Sequence, residues 1–230
     1  MDPATCEELE QLYTNDKYDL GGLWYSDAQK KLLGVSYEGH KGKTRYFFDK
    51  ATEEMLGRME RHLRGYEIGI GGSNKAEDKY IVYAGGDRTM GAYYFYDVKS
   101  DTMTKLADLA PWIDEQQMAE MTPVTYTSRD GLEIEGYLTL PVGKTLHNAK
   151  NLPVVVNPHG GPWARDSWGF NPEVQFLANR GYAVLQMNFR GSTGFGRKFT
   201  EIAYGKWGQT MQDDITDGVN WLIEKGIADP

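Results

Sequence analysis

The run LPVVVN leads directly into His159-Gly160-Gly161-Pro162, and that order of residue types can do chemistry. Glycines without a Cβ let backbone N–H groups come close to a bound molecule. Two such donors at a strand end can hold an oxygen on which negative charge develops. A strand-ending turn is the bland alternative. Ser192, in RGSTGFG, is the nearest thing to a nucleophile, but its glycine-rich surroundings lack the Gly-x-Ser-x-Gly elbow, which occurs nowhere in the 230 residues. Asp213 and Asp217 lie four apart on one predicted helix face, with Arg190 as the expected ion-pair partner. The stretch GHKGKT (Gly39 to Thr44) hints at a phosphate loop, but Tyr37 stands where that motif needs its first glycine, so a hairpin turn is expected. His40, His62, His147 and His159 show no ligand-like spacing, and Cys6 is the single cysteine, so no metal and no cofactor is expected.

The elements that must position this loop are legible around it. TPVTYTSRDGLEIEGYLTLP (Thr122 to Pro141) reads as two strands around Asp130-Gly131. LPVVVN and YAVLQMNF read as strands buried on both faces of a parallel sheet. Between them, NPEVQFLANRG predicts a helix with Asn171 as N-cap, Pro172 in its first turn and Gly181 past its end. Val174, Leu177 and Ala178 form its inward face. MQDDITDGVNWLIEKG predicts a second helix with Met211, Ile215, Val219 and Leu222 on one stripe. Alternating strands and helices of this size argue for an α/β unit over residues 119–230.

Residues 1–118 follow a different rule. DPAT, DKAT and DVKS begin at residues 2, 49 and 97, and KLLGVSYEG at Lys31 is echoed by KYIVYAGGD at Lys79. RYFFD at Arg45 is echoed by YYFYD at Tyr93, and DLG at Asp19 by EIG at Glu67. A step near 48 residues made of short strands suits β-propeller blades. The Asp-x-x-Thr/Ser unit is expected to form a turn between blade strands. Aromatic residues are 13% of the chain, with 15 tyrosines, which favours β structure. The formal net charge of −8 argues against nucleic acid or an anionic membrane as partner. No apolar run is long enough to span a bilayer, and MDPATCEELEQL has neither the basic start nor the apolar stretch of a signal peptide. The repeat is entered partway, so Met1 is expected not to be the natural start.

A repeat of this kind followed by a hairpin, VVVNPHGGP, NFRGSTGFG and YGKWG…DDITDGVNWL resembles the prolyl oligopeptidase family of serine peptidases, in particular its acylaminoacyl-peptidase and dipeptidyl-aminopeptidase-like branch. The resemblance implies a β-propeller fragment of about two blades followed by the N-terminal half of an α/β-hydrolase domain. It implies hydrolysis of short peptides through an acyl-enzyme, with Gly161 as an oxyanion-hole N–H donor and His159 and Gly160 in the substrate-site loop. Ser192 is structural on this resemblance, and His159 is not the triad base. The serine, aspartate and histidine of the triad are expected beyond Pro230, so the chain alone is expected to be inactive. An esterase on the same fold, and a non-catalytic propeller-bearing scaffold, are the alternatives. A core cut in this way is expected to leave apolar surface around Val154 to Val156 and Val184 to Met187.

Overall fold

The computed structural model describes residues 4–230. Asp2 and Pro3 of the first DPAT copy lie outside the described residues. Strands β1 (Leu20–Ser26), β2 (Lys31–Gly39) and β3 (Gly42–Phe47) form an antiparallel sheet in chain order. Helix α1 (Lys50–His62) comes next. Strands β4 (Glu67–Ser73), β5 (Lys79–Gly85), β6 (Ala92–Asp97) and β7 (Thr102–Asp108) form a second antiparallel meander. The sequence repeat is a structural repeat: Lys31 opens β2 and Lys79 opens β5, and the DLG and EIG copies fall at the start of β1 and β4.

The last copies diverge, which corrects one expectation. Asp97 makes the turn before β7, its Oδ1 accepting from the N–H of Lys99 (3.0 Å) and Ser100 (3.2 Å). Asp49 instead caps α1, accepting from the Thr52 N–H at 2.9 Å and hydroxyl at 2.8 Å. One local bonding habit serves both outcomes, because an Asp side chain reaches the N–H three residues on in a turn and in a first helical turn alike. The apolar residues downstream decide between them. After Asp49, Met55, Leu56 and Met59 fall at helical spacing and bury against Leu63, Ile68, Tyr80, Val82 and Tyr96. The first sheet therefore has a helix where the second has its fourth strand.

Hairpin strands β8 (Met121–Thr127) and β9 (Glu133–Thr139) form as expected. Then come β10 (Val154–Val156), α2 (Pro172–Ala178), β11 (Ala183–Asn188), α3 (Arg197–Glu201) and α4 (Thr210–Glu224). Sheet order is β10-β11-β9-β8. Only β10 and β11 are parallel, since the hairpin strand β9 pairs antiparallel to β11. The sheet is mixed, not parallel throughout. Every residue of β11 is buried, against the expectation of exposed apolar surface there. Strand β10 is half-buried, because it is paired by β11 on one side only. On its other side Leu152 donates to the Ile227 carbonyl (2.7 Å) and its own carbonyl accepts from the Asp229 N–H (3.0 Å).

In α2, Asn171 accepts from the N–H of Glu173 and Val174, and Val174 and Ala178 are buried, with Leu177 half-buried. In α4, Met211 and Leu222 are buried, Ile215 and Val219 half-buried, and Asp214 and Asp217 are drawn into the same buried face. A second apolar core gathers Ile134, Leu138, Leu185, Met187 and Leu222. Gln175 joins the two cores. Its amide nitrogen donates to the carbonyls of Asp87 and Ala119, and its oxygen accepts from the Ala119 N–H, all at 2.8 Å.

Candidate oxyanion loop

The loop begins where β10 ends. The Asn157 N–H donates to the Leu185 carbonyl (2.9 Å), which extends the parallel pairing by one bond and sends the chain off the sheet's end. The His159 ring stacks on Phe189, centroids 4.7 Å apart and planes 16° apart. Its Nε2 lies 2.8 Å from the Ser192 hydroxyl, and that hydroxyl donates to the Phe189 carbonyl at 2.7 Å. On the other side of the ring, Nδ1 donates to the Gly160 carbonyl at 2.9 Å, since a carbonyl oxygen only accepts. Ser192 is fully buried. It holds the histidine from behind, between the ring and the Phe189 carbonyl.

The returning half of the loop is tied to β11. Asn188 accepts from the Asp166 N–H (2.8 Å) and donates to the Asp166 carbonyl (3.1 Å). Gln186 donates to the Asp166 carboxylate at 2.8 Å. Burial pushes the Asp166 carboxyl upward, while the His159 charge pulls it back. The Thr193 N–H donates to the Ala164 carbonyl (2.8 Å), which closes the frame.

Inside this frame Gly160 and Gly161 are exposed. Among the described residues no acceptor takes either backbone N–H. Gly161 has φ +132°, a conformation that strains any other L-residue, and a Cβ there would meet the Trp163 backbone nitrogen at 2.7 Å. A Cβ on Gly160 would meet nothing within 4 Å. The glycine requirement therefore belongs to Gly161. Free N–H groups on a loop braced at both ends are what a developing oxyanion needs.

The other sequence candidates lie elsewhere. Gly39 pairs with Gly42 at the turn between β2 and β3, so GHKGKT is a hairpin turn. Asp213 and Asp217 do share a partner, but it is Arg129: Nη1 reaches Asp213 at 2.9 Å and Nη2 reaches Asp217 at 2.8 Å. Arg190 instead binds Asp214 and Asp130, each at 2.7 Å. The expected Arg190 pairing is thereby corrected. Asp214 is 0% exposed and one helical position away from the face assumed. The bracing by Asp166, Gln186 and Asn188 is not among the sequence expectations, although a signal for it exists: two polar amides alternate inside the otherwise apolar AVLQMN.

Residues 168–230 match the model of the prolyl oligopeptidase family. Dipeptidyl aminopeptidase BIII of Pseudoxanthomonas mexicana is 36% identical over 214 residues, covering 91% of this chain and 31% of that protein. The chain belongs to the prolyl oligopeptidase family. Dipeptidyl peptidase family member 6 of Caenorhabditis elegans is 28% identical, with 96% of this chain and 32% of that protein covered. The chain thus spans about a third of the length of these family relatives. Among solved structures, the Pyrococcus horikoshii acylaminoacyl peptidase superposes with a TM-score of 0.63 at 22% identity, over 93% of this chain and 32% of that one. That likeness is one of fold. A puromycin hydrolase superposes with a TM-score of 0.57 at 25% identity, over 71% of this chain and 25% of that one.

Proposed function

We propose that the chain is the oxyanion-loop portion of a serine peptidase that hydrolyses short peptides through an acyl-enzyme. The observation that carries this is the pair of exposed, unpartnered N–H groups at Gly160 and Gly161 on a loop braced by His159–Ser192 and Asp166–Asn188. In acyl transfer a hydroxyl oxygen bonds to the scissile carbonyl carbon, and the carbonyl electrons move onto oxygen. Gly161 N–H is the donor assigned to that oxygen, and His159 and Gly160 shape the loop. The relatives named as dipeptidyl aminopeptidase and dipeptidyl peptidase support a peptide substrate. Residues 1–118 are assigned to propeller blades and 119–230 to a hydrolase domain, a division supported by the two separate apolar cores.

Ser192 is not the nucleophile in this reading, since it is fully buried against the Phe189 carbonyl. The test is to treat the whole protein with a fluorophosphonate probe and map the labelled peptide, with this chain alone alongside. A labelled serine outside this chain, and none within it, supports the proposal. Label on Ser192, or on no serine of either sample, sinks it.

A further inference from the structure

Strands β1 and β2 separate at one end, and the gap is filled from a distant part of the chain. Their pairing stops at Leu20 and Tyr37. One position beyond Leu20, the Asp19 N–H donates to the Gly194 carbonyl (3.1 Å), and the Asp19 carboxylate accepts from the Gly196 N–H (3.3 Å). One position beyond Tyr37, the Glu38 carbonyl accepts from Arg165 Nη1 at 3.4 Å. The open end of the first sheet is thus closed by the RGSTGFG loop and by an arginine of the oxyanion loop.

Those two pieces also meet each other. Ser192 lies 2.8 Å from His159 Nε2, and the Thr193 N–H donates to the Ala164 carbonyl at 2.8 Å. Gly194, next in line, lies under the Arg165 side chain: a Cβ there would meet Nη1 at 2.6 Å and Cδ at 3.3 Å. The Phe195 ring centroid is 4.5 Å from the guanidinium carbon, and Nε donates to the Asp166 carbonyl at 3.3 Å. Arg129 and Arg190 are paired with carboxylates that fasten α4. Arg165 instead rests on backbone carbonyls and an aromatic face, a place that suits a planar fork able to donate along its edges while it stacks. It joins the first sheet, the glycine-rich loop and the oxyanion loop at one point.

We propose that Arg165 is a positioning residue for the reaction, passing the docking of the first sheet across Gly194 to the loop that carries Gly160 and Gly161. This rests on the serine-peptidase reading of that loop. In this role Arg165 need not touch substrate; it fixes where the Gly161 N–H points. A misplacement of about 1 Å caused at a distance from the chemistry can cost about 10²-fold in rate. Loss of Arg165 should therefore lower kcat about 10–100-fold with KM little changed, because the interaction lost is one made in the transition state.

The experiment measures steady-state kinetics of the whole protein and its Arg165→Ala and Arg165→Lys variants. Arg165→Lys keeps the charge and most of the stem but lacks the fork, so it should share the fall in kcat. Guanidinium chloride, at concentrations too low to denature, should restore much of the kcat of Arg165→Ala and leave the wild type unchanged. A rise in KM at unchanged kcat, wild-type turnover in Arg165→Lys, or a loss that guanidinium does not restore would overturn the proposal. Hydrogen exchange separates it from the peptidase reading. In Arg165→Lys the amides of Asp19, Asp166 and Thr193 should exchange faster, while those of α4 keep their wild-type rates. If the wild type cleaves no peptide, the peptidase reading fails, and the exchange still decides the positioning. Unchanged exchange at those three amides, or equal acceleration in α4, overturns it.

Discussion

At the scale of single residues, Gly161 and Gly160 look alike in sequence and differ in what they tolerate. Gly161→Ala adds a methyl 2.7 Å from the Trp163 nitrogen at a φ of +132°, so the loop must move and carry its N–H with it. Steady-state kinetics of the whole protein should show kcat lower by about 10²–10³ with KM little changed, the size of effect expected for losing one oxyanion donor. Gly160→Ala meets open space and should cost less than about tenfold. Equal effects of the two substitutions would remove Gly161 from its assigned role. His159 and Ser192 show the limit of reading residues one by one. A serine and a histidine 2.8 Å apart look like a catalytic dyad in isolation, and only the fold places that serine fully buried against the Phe189 carbonyl.

At the scale of elements, α4 is fastened to β8, β11 and the hairpin turn by two arginines of unequal worth. Arg190 is 7% exposed and its partner Asp214 is 0% exposed, and these carboxylates raise the guanidinium's hold on its proton. Arg190→Ala leaves Asp214 buried without its partner and should lower unfolding free energy by about 3–5 kcal/mol in chemical denaturation. Arg129, half-exposed at 51%, should cost less when replaced by alanine, because solvent screens its ion pairs. Similar losses at the two sites would refute this ranking. Arg129 also holds the Asp217 carboxyl down to about 2, helped by the Arg129 N–H and the Ser128 hydroxyl. A carboxyl depressed on folding contributes stability that is fully present above its unfolded value of about 3.9. That contribution fades as pH falls toward about 2. The Tm of Asp217→Asn should therefore fall less steeply than wild type between about pH 4 and pH 2. Parallel Tm curves would show that the Asp217 bonds do not survive in solution.

At the scale of the whole molecule, polar contacts join the parts of the chain that hold the two cores, among them Met121 to Asp87, His40 to the Gly136 carbonyl and Asp19 to the Gly194 carbonyl. Gln175 spans Asp87 and Ala119, and Glu135 of β9 receives Tyr18 (2.9 Å) and Lys17 from the segment ahead of β1. Gln175→Ala leaves two carbonyls and one N–H without this partner and should cost about 3 kcal/mol. Limited proteolysis should then cut faster within residues 109–118, which join the second meander to the hairpin. An unchanged cleavage rate there would mean the junction is held by other contacts.

Much of this architecture was legible because it is local. The Asp130-Gly131 hairpin and the Asn171-Pro172 helix start each depend on residues near one another in the chain. So does the glycine pair of the oxyanion loop, whose backbone freedom is a property of residue type. What the sequence by itself determined is therefore the kind of element at most positions and the glycine-rich loop on which the proposed site rests. Partner choice was decided only by the tertiary structure. Arg190 reaches Asp130 across 60 positions and Arg129 reaches Asp217 across 88, and composition offers many equivalent acids at such distances. Packing also turned one copy of the Asp-x-x-Thr/Ser unit into a turn and another into a helix cap, made the sheet mixed, and buried Ser192. Local bonding preferences act over three or four residues, whereas the apolar cores choose among distant pairings, and that choice exists only once the chain has closed on itself.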